Sequence, residues 1–338
     1  MDTHADTLAV AIAAASGVIL AEAEFPATGS GIEELIGFAL RQAPGPELVF
    51  AVEGTRSYGI GLARAVTRLG MPVIELERPA RAERRGRGKT DAIDAVLGAR
   101  RALGADADAL PTPRCDGDRE ALRILLVARQ EMTSEKTAKT NRLIALLRGG
   151  SDTDRDLVRA EVTAFTLTRI ARRRARRSES REERIRREDA RRLAVAVTEL
   201  EQQLSANKKQ LQQIVHQLSP GLLERVGIGP VSAARAIVAW SHLGRCRSEA
   251  AFANLAGAAP IPASSGKVVR HRLNRGGDRQ LNRALHDIAF TRMRCCPGTR
   301  AYVARRRAEG LSEREIRRCL KRYIARELFR ALNTAAAS

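Results

Sequence analysis

The stretch Lys89-Thr90-Asp91-Ala92-Ile93-Asp94 decides how the first third of the chain is read. Thr90 is a helix-capping residue type, and the pattern after it predicts a helix over Asp91–Leu103. Asp91 and Asp94 stand three apart on that helix, so both project from one face within reach of the same ion. Upstream, the apolar run Glu47-Leu48-Val49-Phe50-Ala51-Val52 ends at Glu53 and a turn at Gly54, the pattern of a buried strand. Near the start, Asp2 opens another β-like run, Thr7–Ala13. Four carboxylates at strand ends and on one helix, in a chain of net charge +20, need a reason to converge, and a divalent cation supplies one. Mg²⁺ takes oxygen ligands, and paired metals serve in-line displacement at phosphodiesters. The plainer alternative is that Asp91 and Asp94 are surface acids, favoured at a helix start by capping and dipole.

Around these acids, strand-like and helix-like patterns alternate. Gly17–Phe25 reads as a second strand, Gly31–Arg41 as a helix, Leu48–Glu53 as a strand, Tyr58–Leu69 as a helix and Pro72–Leu76 as a strand. Such alternation implies an α/β sheet. Between the last strand and the Asp91 helix lies an arginine- and glycine-rich loop carrying Arg84, Arg85, Arg87 and Lys89. It is either a solvated surface loop or an arm that tracks phosphates.

Composition narrows the partner. With 59 basic against 39 acidic residues, the 338-residue chain favours a polyanion, and nucleic acid is the commonest. Aromatic residues make up 3%, too few for recognition built mainly on base stacking, so backbone electrostatics are the expected source of affinity. No apolar run reaches the roughly 18 residues of a membrane span, and no basic-then-apolar leader opens the chain. The five cysteines lack C-x-x-C spacing, which indicates neither a zinc site nor a disulfide framework. The expected location is the cytoplasm, without membrane contact.

Beyond Pro111–Pro113 the pattern predicts a long helix over Asp118–Leu147, ending at Gly149-Gly150. Residues 151–190 are highly charged, with basic clusters Arg172-Arg173-Arg174 and Arg176-Arg177, and read as a solvated or partly disordered connector. Next come Leu193, Val197, Leu200, Leu204, Asn207, Leu211, Ile214 and Leu218, a heptad seam with one polar member. The seam fits a coiled coil between chains or an intrachain helical hairpin. In the last third, Gly227-Ile228-Gly229 sits between two helical stretches, either a helix-hairpin-helix offering backbone N–H groups to sugar-phosphate or a plain turn. Ser312 and Glu315 form a capping box that starts a helix to about Leu332, with Ile316, Leu320, Ile324 and Leu328 inward.

A second chemical candidate lies between these helices. Ser264-Ser265-Gly266-Lys267 is bounded by proline and glycine and followed by Arg270, His271, Arg272 and Arg275. By itself it reads as a polar turn as easily as a nucleophile loop. A serine attacking a phosphodiester also needs a base or a metal, and His271 is as readily structural as catalytic.

Taken together, several pieces resemble the IS110/IS116/IS902 insertion-sequence transposases, also called DEDD transposases. They are Asp2-Thr3-His4, Val52-Glu53-Gly54-Thr55, Gly88-Lys89-Thr90-Asp91-Ala92-Ile93-Asp94-Ala95, Gly227-Ile228-Gly229-Pro230, Ser264-Ser265-Gly266-Lys267 and Asn274-Arg275-Gly276-Gly277. The resemblance implies a RuvC-like (RNase H-like) domain over 1–150, a basic connector and coiled coil over 151–218, and a mainly helical transposase domain over 219–338. It further implies Mg²⁺ on Asp2, Glu53, Asp91 and Asp94, and a nucleophilic serine, Ser265, with Ser264 as runner-up. DNA, a structured non-coding RNA and further copies of the chain are the implied partners, in a bacterial cytoplasm. Nucleic-acid contacts are expected from Arg84, Arg85, Arg87, Lys89, Gly227, Gly229, Lys267, Arg270, Arg272 and Arg275. A single residue precedes Asp2, which predicts a loosely held first ligand. Two other functions share these residues: a junction-resolving nuclease that uses water, and a non-catalytic nucleic-acid-binding protein.

Overall fold

The computed structural model describes all residues except 44, 46, 77–89, 105–111, 115, 263–270, 273, 275 and 338. The expected basic loop and both candidate serines therefore lie outside the described residues, as do Lys267, Arg270 and Arg275. The chain divides into two units, Met1–Glu120 with Trp240–Leu255, and Ala121–Ala239 with Ala256–Ser338.

In the first unit, β1 (Asp2–Thr3), β2 (Thr7–Ala13) and β3 (Ile19–Pro26) form an antiparallel sheet, while β4 (Phe50–Glu53) and β5 (Val73–Leu76) pair in parallel. Asp2 does not open β2 as expected. It forms its own short strand, folded back so that Asp2 faces Ala9. Met1 joins the two sheets: its N donates to the Ala51 carbonyl at 2.9 Å, and its carbonyl accepts from Glu53 N at 3.1 Å. The strands thus run in the order β3-β2-β1-β4-β5.

Side-chain alternation then sorts the two faces. Leu8, Val10 and Ile12 of β2 and Phe50 and Val52 of β4 enter one core with Leu35 and Ile36 of α1 (Gly29–Gln42) and Leu62, Ala63 and Val66 of α2 (Ile60–Arg68). The opposite face offers small residues, Ala9 and Ala11, which pack on Ala95 of α3 (Asp91–Leu103). Gly98 of α3 lies so close to the sheet that an added Cβ would sit 3.0 Å from Leu76 Cδ1. Small residues on both sides let α3 approach β1 and β4 closely. This unit also holds the short helix α10 (Glu249–Leu255).

Among the described residues, the second unit is helical apart from one short antiparallel strand pair. Helices α4 (Gly117–Arg148) and α7 (Arg181–Leu218) run antiparallel, as their cross-links show: Leu125 with Asn207, Lys136 with Glu201, and Arg142 with Asp189. Leu193, Val197, Leu200, Asn207 and Leu211 of the seam are buried within this one chain, and Leu122, Leu143 and Leu147 of α4 are buried as well. This part of the seam packs as an intrachain helical pair, one of the two arrangements its period allows, while Leu204 and Ile214 are half-buried and Leu218 is exposed. Residues 151–190 are also ordered. The helices α5 (Asp152–Leu157) and α6 (Ala164–Ala171) put Val158, Leu167 and Ile170 into a core with Leu143, Leu147, Leu193 and Val197. A capping box on Ser151 and the Arg173–Asp154 ion pair at 2.5 Å hold the connector in place.

The remainder comprises α8 (Pro220–Leu223), α9 (Pro230–Trp240), β6 (Ile261–Pro262), β7 (His271–Arg272), α11 (Arg279–Cys295), α12 (Pro297–Ala308) and α13 (Glu313–Ala337). Ile316, Leu320, Ile324 and Leu328 of α13 are buried as expected, and α13 packs on α11. The Ser312 and Glu315 capping box forms, with Ser312 N donating to Glu315 Oε2 at 2.9 Å.

Candidate metal centre

The sheet and α3 bring the acids together. Asp2 shares the face of its partner Ala9, the face that α3 covers. Glu53 and Ala51 alternate with the core residues Phe50 and Val52, so Glu53 projects toward the α3 side as well. Thr90 caps α3 as expected, accepting from Ile93 N at 3.3 Å, and this starts the helix at Asp91. Asp91 and Asp94 then occupy its first turn, and α3 packs against both β1 and β4.

Asp2 is 6% exposed. A buried carboxylate needs partners to offset its lost hydration. Its Oδ1 accepts from Thr3 N at 3.0 Å, and its Oδ2 lies 3.2 Å from His4 Nε2. Thr3 Oγ1 donates to the Glu53 carbonyl oxygen at 2.9 Å, tying the Asp2 strand to the end of β4. The turn beyond Glu53 is tight: Gly54 has φ +67°, and a Cβ at Gly59 would lie 2.4 Å from Glu53 O.

His4 completes the cluster. Its Nε2 is also 3.2 Å from Asp91 Oδ1, and the ligand atoms of Asp2, His4 and Asp91 all lie within 4.8 Å of one another. Glu53 and Asp94 stand outside that trio, with Asp94 buried and Glu53 half-buried. The donor set, carboxylates plus one imidazole on a sheet edge and a helix start, fits a divalent cation. Sequence reasoning missed His4 as a site residue. One histidine two positions after an aspartate carries no spacing signal, and only the reversal at His4, whose N donates to the Thr7 carbonyl at 2.9 Å, turns its ring toward Asp91.

Of the other expected site residues, Arg272 is exposed on β7, which pairs with β6 in the register Ile261–Arg272 and Pro262–His271. These two strands flank the serine-bearing residues. Gly227 has φ +80°, and a Cβ there would lie 2.9 Å from Arg292 Cγ, so its place is set by packing on α11. Gly229 N donates to Ser232 Oγ at 3.1 Å, an internal cap of α9.

Acids gathered at a sheet edge and at a helix start form a group that could hold a divalent cation, and comparison with known proteins says which family carries it. A DEDD transposase family model of the IS110 type matches residues 1–151, and the model for the transposase IS116/IS110/IS902 family matches residues 221–304. The chain belongs to this family of insertion-sequence transposases. A relative from Streptomyces coelicolor A3(2), the insertion element IS110 uncharacterized 43.6 kDa protein, is 36% identical over 121 residues. That match covers 35% of this chain and 30% of the relative's length.

Proposed function

We propose that this chain is a DNA transposase that cuts and rejoins strands with divalent metal on an RNase H-like unit and a serine nucleophile on the helical unit. The observation that carries this is the Asp2–His4–Asp91 cluster, on residues that the DEDD transposase model spans. Asp2, Glu53, Asp91 and Asp94 are the proposed metal residues, and Mg²⁺ is the physiological ion expected for oxygen donors. The bound ion would neutralise developing charge on phosphate oxygens. The chain's own part is positional: Thr3 orients Asp2 and ties it to Glu53, and the Thr90 cap sets the first turn of α3.

Ser265 is the proposed nucleophile, with Ser264 the alternative. Its Oγ would bond to phosphorus as one sugar oxygen leaves, giving a phosphoserine ester that a second DNA hydroxyl later displaces. Arg272 and the basic residues Arg84, Arg85, Arg87, Lys89, Lys267, Arg270 and Arg275 would contact the nucleic-acid backbone. A structured RNA from the element would supply sequence choice, because no base-reading element is evident in the sequence. Assembly into a dimer or more would rest on surfaces other than the part of the Leu193–Leu218 seam buried within the chain.

A denaturing gel after incubation with element-end DNA and divalent ion tests this reading. Protein joined covalently to DNA in the wild type and lost in Ser265→Ala is the expected result. Cleavage that persists in Ser265→Ala and Ser264→Ala without an adduct would instead indicate water as nucleophile.

A further inference from the structure

A site made of carboxylates alone has no need of His4, yet the ring stands among them. Its Nε2 lies 3.2 Å from Asp2 Oδ2 and 3.2 Å from Asp91 Oδ1. Two donors at right angles around an ion at about 2.1 Å are about 3 Å apart, so both pairs have the spacing of adjacent corners in one octahedron. An ion bridging Asp2 and Asp91 has to enter the space that Nε2 already faces. The ring must then either ligate it or swing away. His4 follows a strand whose backbone is paired, and its own N is fixed to the Thr7 carbonyl at 2.9 Å, so the ring is carried on an anchored turn. At 45% exposure the side chain still leaves the centre open to solvent and substrate on one side.

We propose that His4 Nε2 is a direct ligand of the ion held by Asp2 and Asp91, and that it biases this centre toward a first-row transition ion such as Mn²⁺ over Mg²⁺. Mg²⁺ favours oxygen donors and keeps much of its water, whereas imidazole nitrogen adds affinity for transition ions. The inference rests on the metal-centre reading above and adds one ligand and a selectivity to it.

The test uses the full chain with Mn²⁺ or Mg²⁺ alone as probe. Pulsed electron paramagnetic resonance of the Mn²⁺-loaded wild type should show ¹⁴N coupling from a bound imidazole, a readout independent of how any variant folds. The coupling should vanish in His4→Ala. Calorimetry of His4→Ala should show Mn²⁺ affinity reduced about tenfold or more, the scale of losing an interaction that supports a metal, with Mg²⁺ affinity changed much less. Bound Mn²⁺ that depends on Asp2 and Asp91 but shows no ¹⁴N coupling would overturn the His4 assignment while leaving the centre intact. Equal losses of both ions in His4→Ala would overturn the selectivity. Mn²⁺ binding unaffected by Asp2→Asn and Asp91→Asn would overturn the centre itself, and this inference with it.

Discussion

Asn207 Nδ2 donates to the Leu125 carbonyl at 2.9 Å, and Arg129 Nη1 reaches Asn207 Oδ1 at 3.3 Å. The polar member of the seam thus fixes α7 against α4 of the same chain. Asn207 is 4% exposed, and its loss takes a donor from the Leu125 carbonyl and an acceptor from Arg129, both on α4. Asn207→Ala should cost about 1–3 kcal/mol, the penalty for a buried polar group left unpaired. Urea unfolding measures the cost. Light scattering should show the same mass for variant and wild type, because the contact lies within one chain.

Glu75, buried at the end of β5, supports the first unit from the other side. Burial raises its carboxyl, but Arg114 outweighs this by donating from its backbone N, Nε and Nη2, and with the Arg56 charge it holds the group below its ordinary 4.5. A carboxyl lowered in the folded state stabilises the fold above its unfolded value, and that contribution is lost as pH falls through the folded one. Glu75→Gln should therefore be less stable at pH 7 by about 3 kcal/mol, the scale of breaking a buried pair. The gap should close as pH drops below 4.5, as thermal melts across acid pH would record.

The close seat of α3 gives a third expectation. A Cβ at Gly98 would stand 3.0 Å from Leu76 Cδ1 and 3.8 Å from Met1 N. Gly98→Val should overpack this contact at about 1–3 kcal/mol and lift the turn bearing Asp91 and Asp94. Mn²⁺ affinity measured by calorimetry should fall although no ligand is changed. Unaltered affinity would mean that α3 holds its acids by other contacts.

Nucleic-acid binding should follow counterion release. If Arg272 meets a phosphate, Arg272→Ala should weaken DNA binding across unrelated sequences and lower the slope of log affinity against log salt by about 1. Fluorescence anisotropy at several salt concentrations gives that slope.

Much of the first unit was legible because its signals are local. Thr7–Ala13 and Asp91–Leu103 fall where apolar runs and the Thr90 cap place them. The long helix before Gly149 was legible for the same reason. What the chain pattern concealed depends on distant pairing. A heptad seam shows that a partner exists, but not that α4, some 80 residues earlier at Leu125, supplies it. The charged connector looked too polar to fold, yet Val158, Leu167 and Ile170 suffice because α4 and α7 already offer an apolar surface. His4 escaped notice because its value lies in the reversal between β1 and β2, which exists only once Asp2 pairs with Ala9.

The most direct test of the account is divalent-ion-dependent DNA cleavage by wild type and Asp91→Asn, compared at matched DNA binding. Asp91 Oδ1 joins the Asp2–His4 cluster from α3, so its loss should remove metal without disturbing the sheet. Metal stabilisation of phosphate charge is worth several kcal/mol, or about two to three powers of ten in rate. Wild type should cleave only with the ion present. Asp91→Asn should lose cleavage to that extent, with DNA binding equal or tighter because a negative charge near phosphate is gone. Wild-type cleavage by Asp91→Asn, or cleavage by wild type indifferent to a chelator, would contradict it.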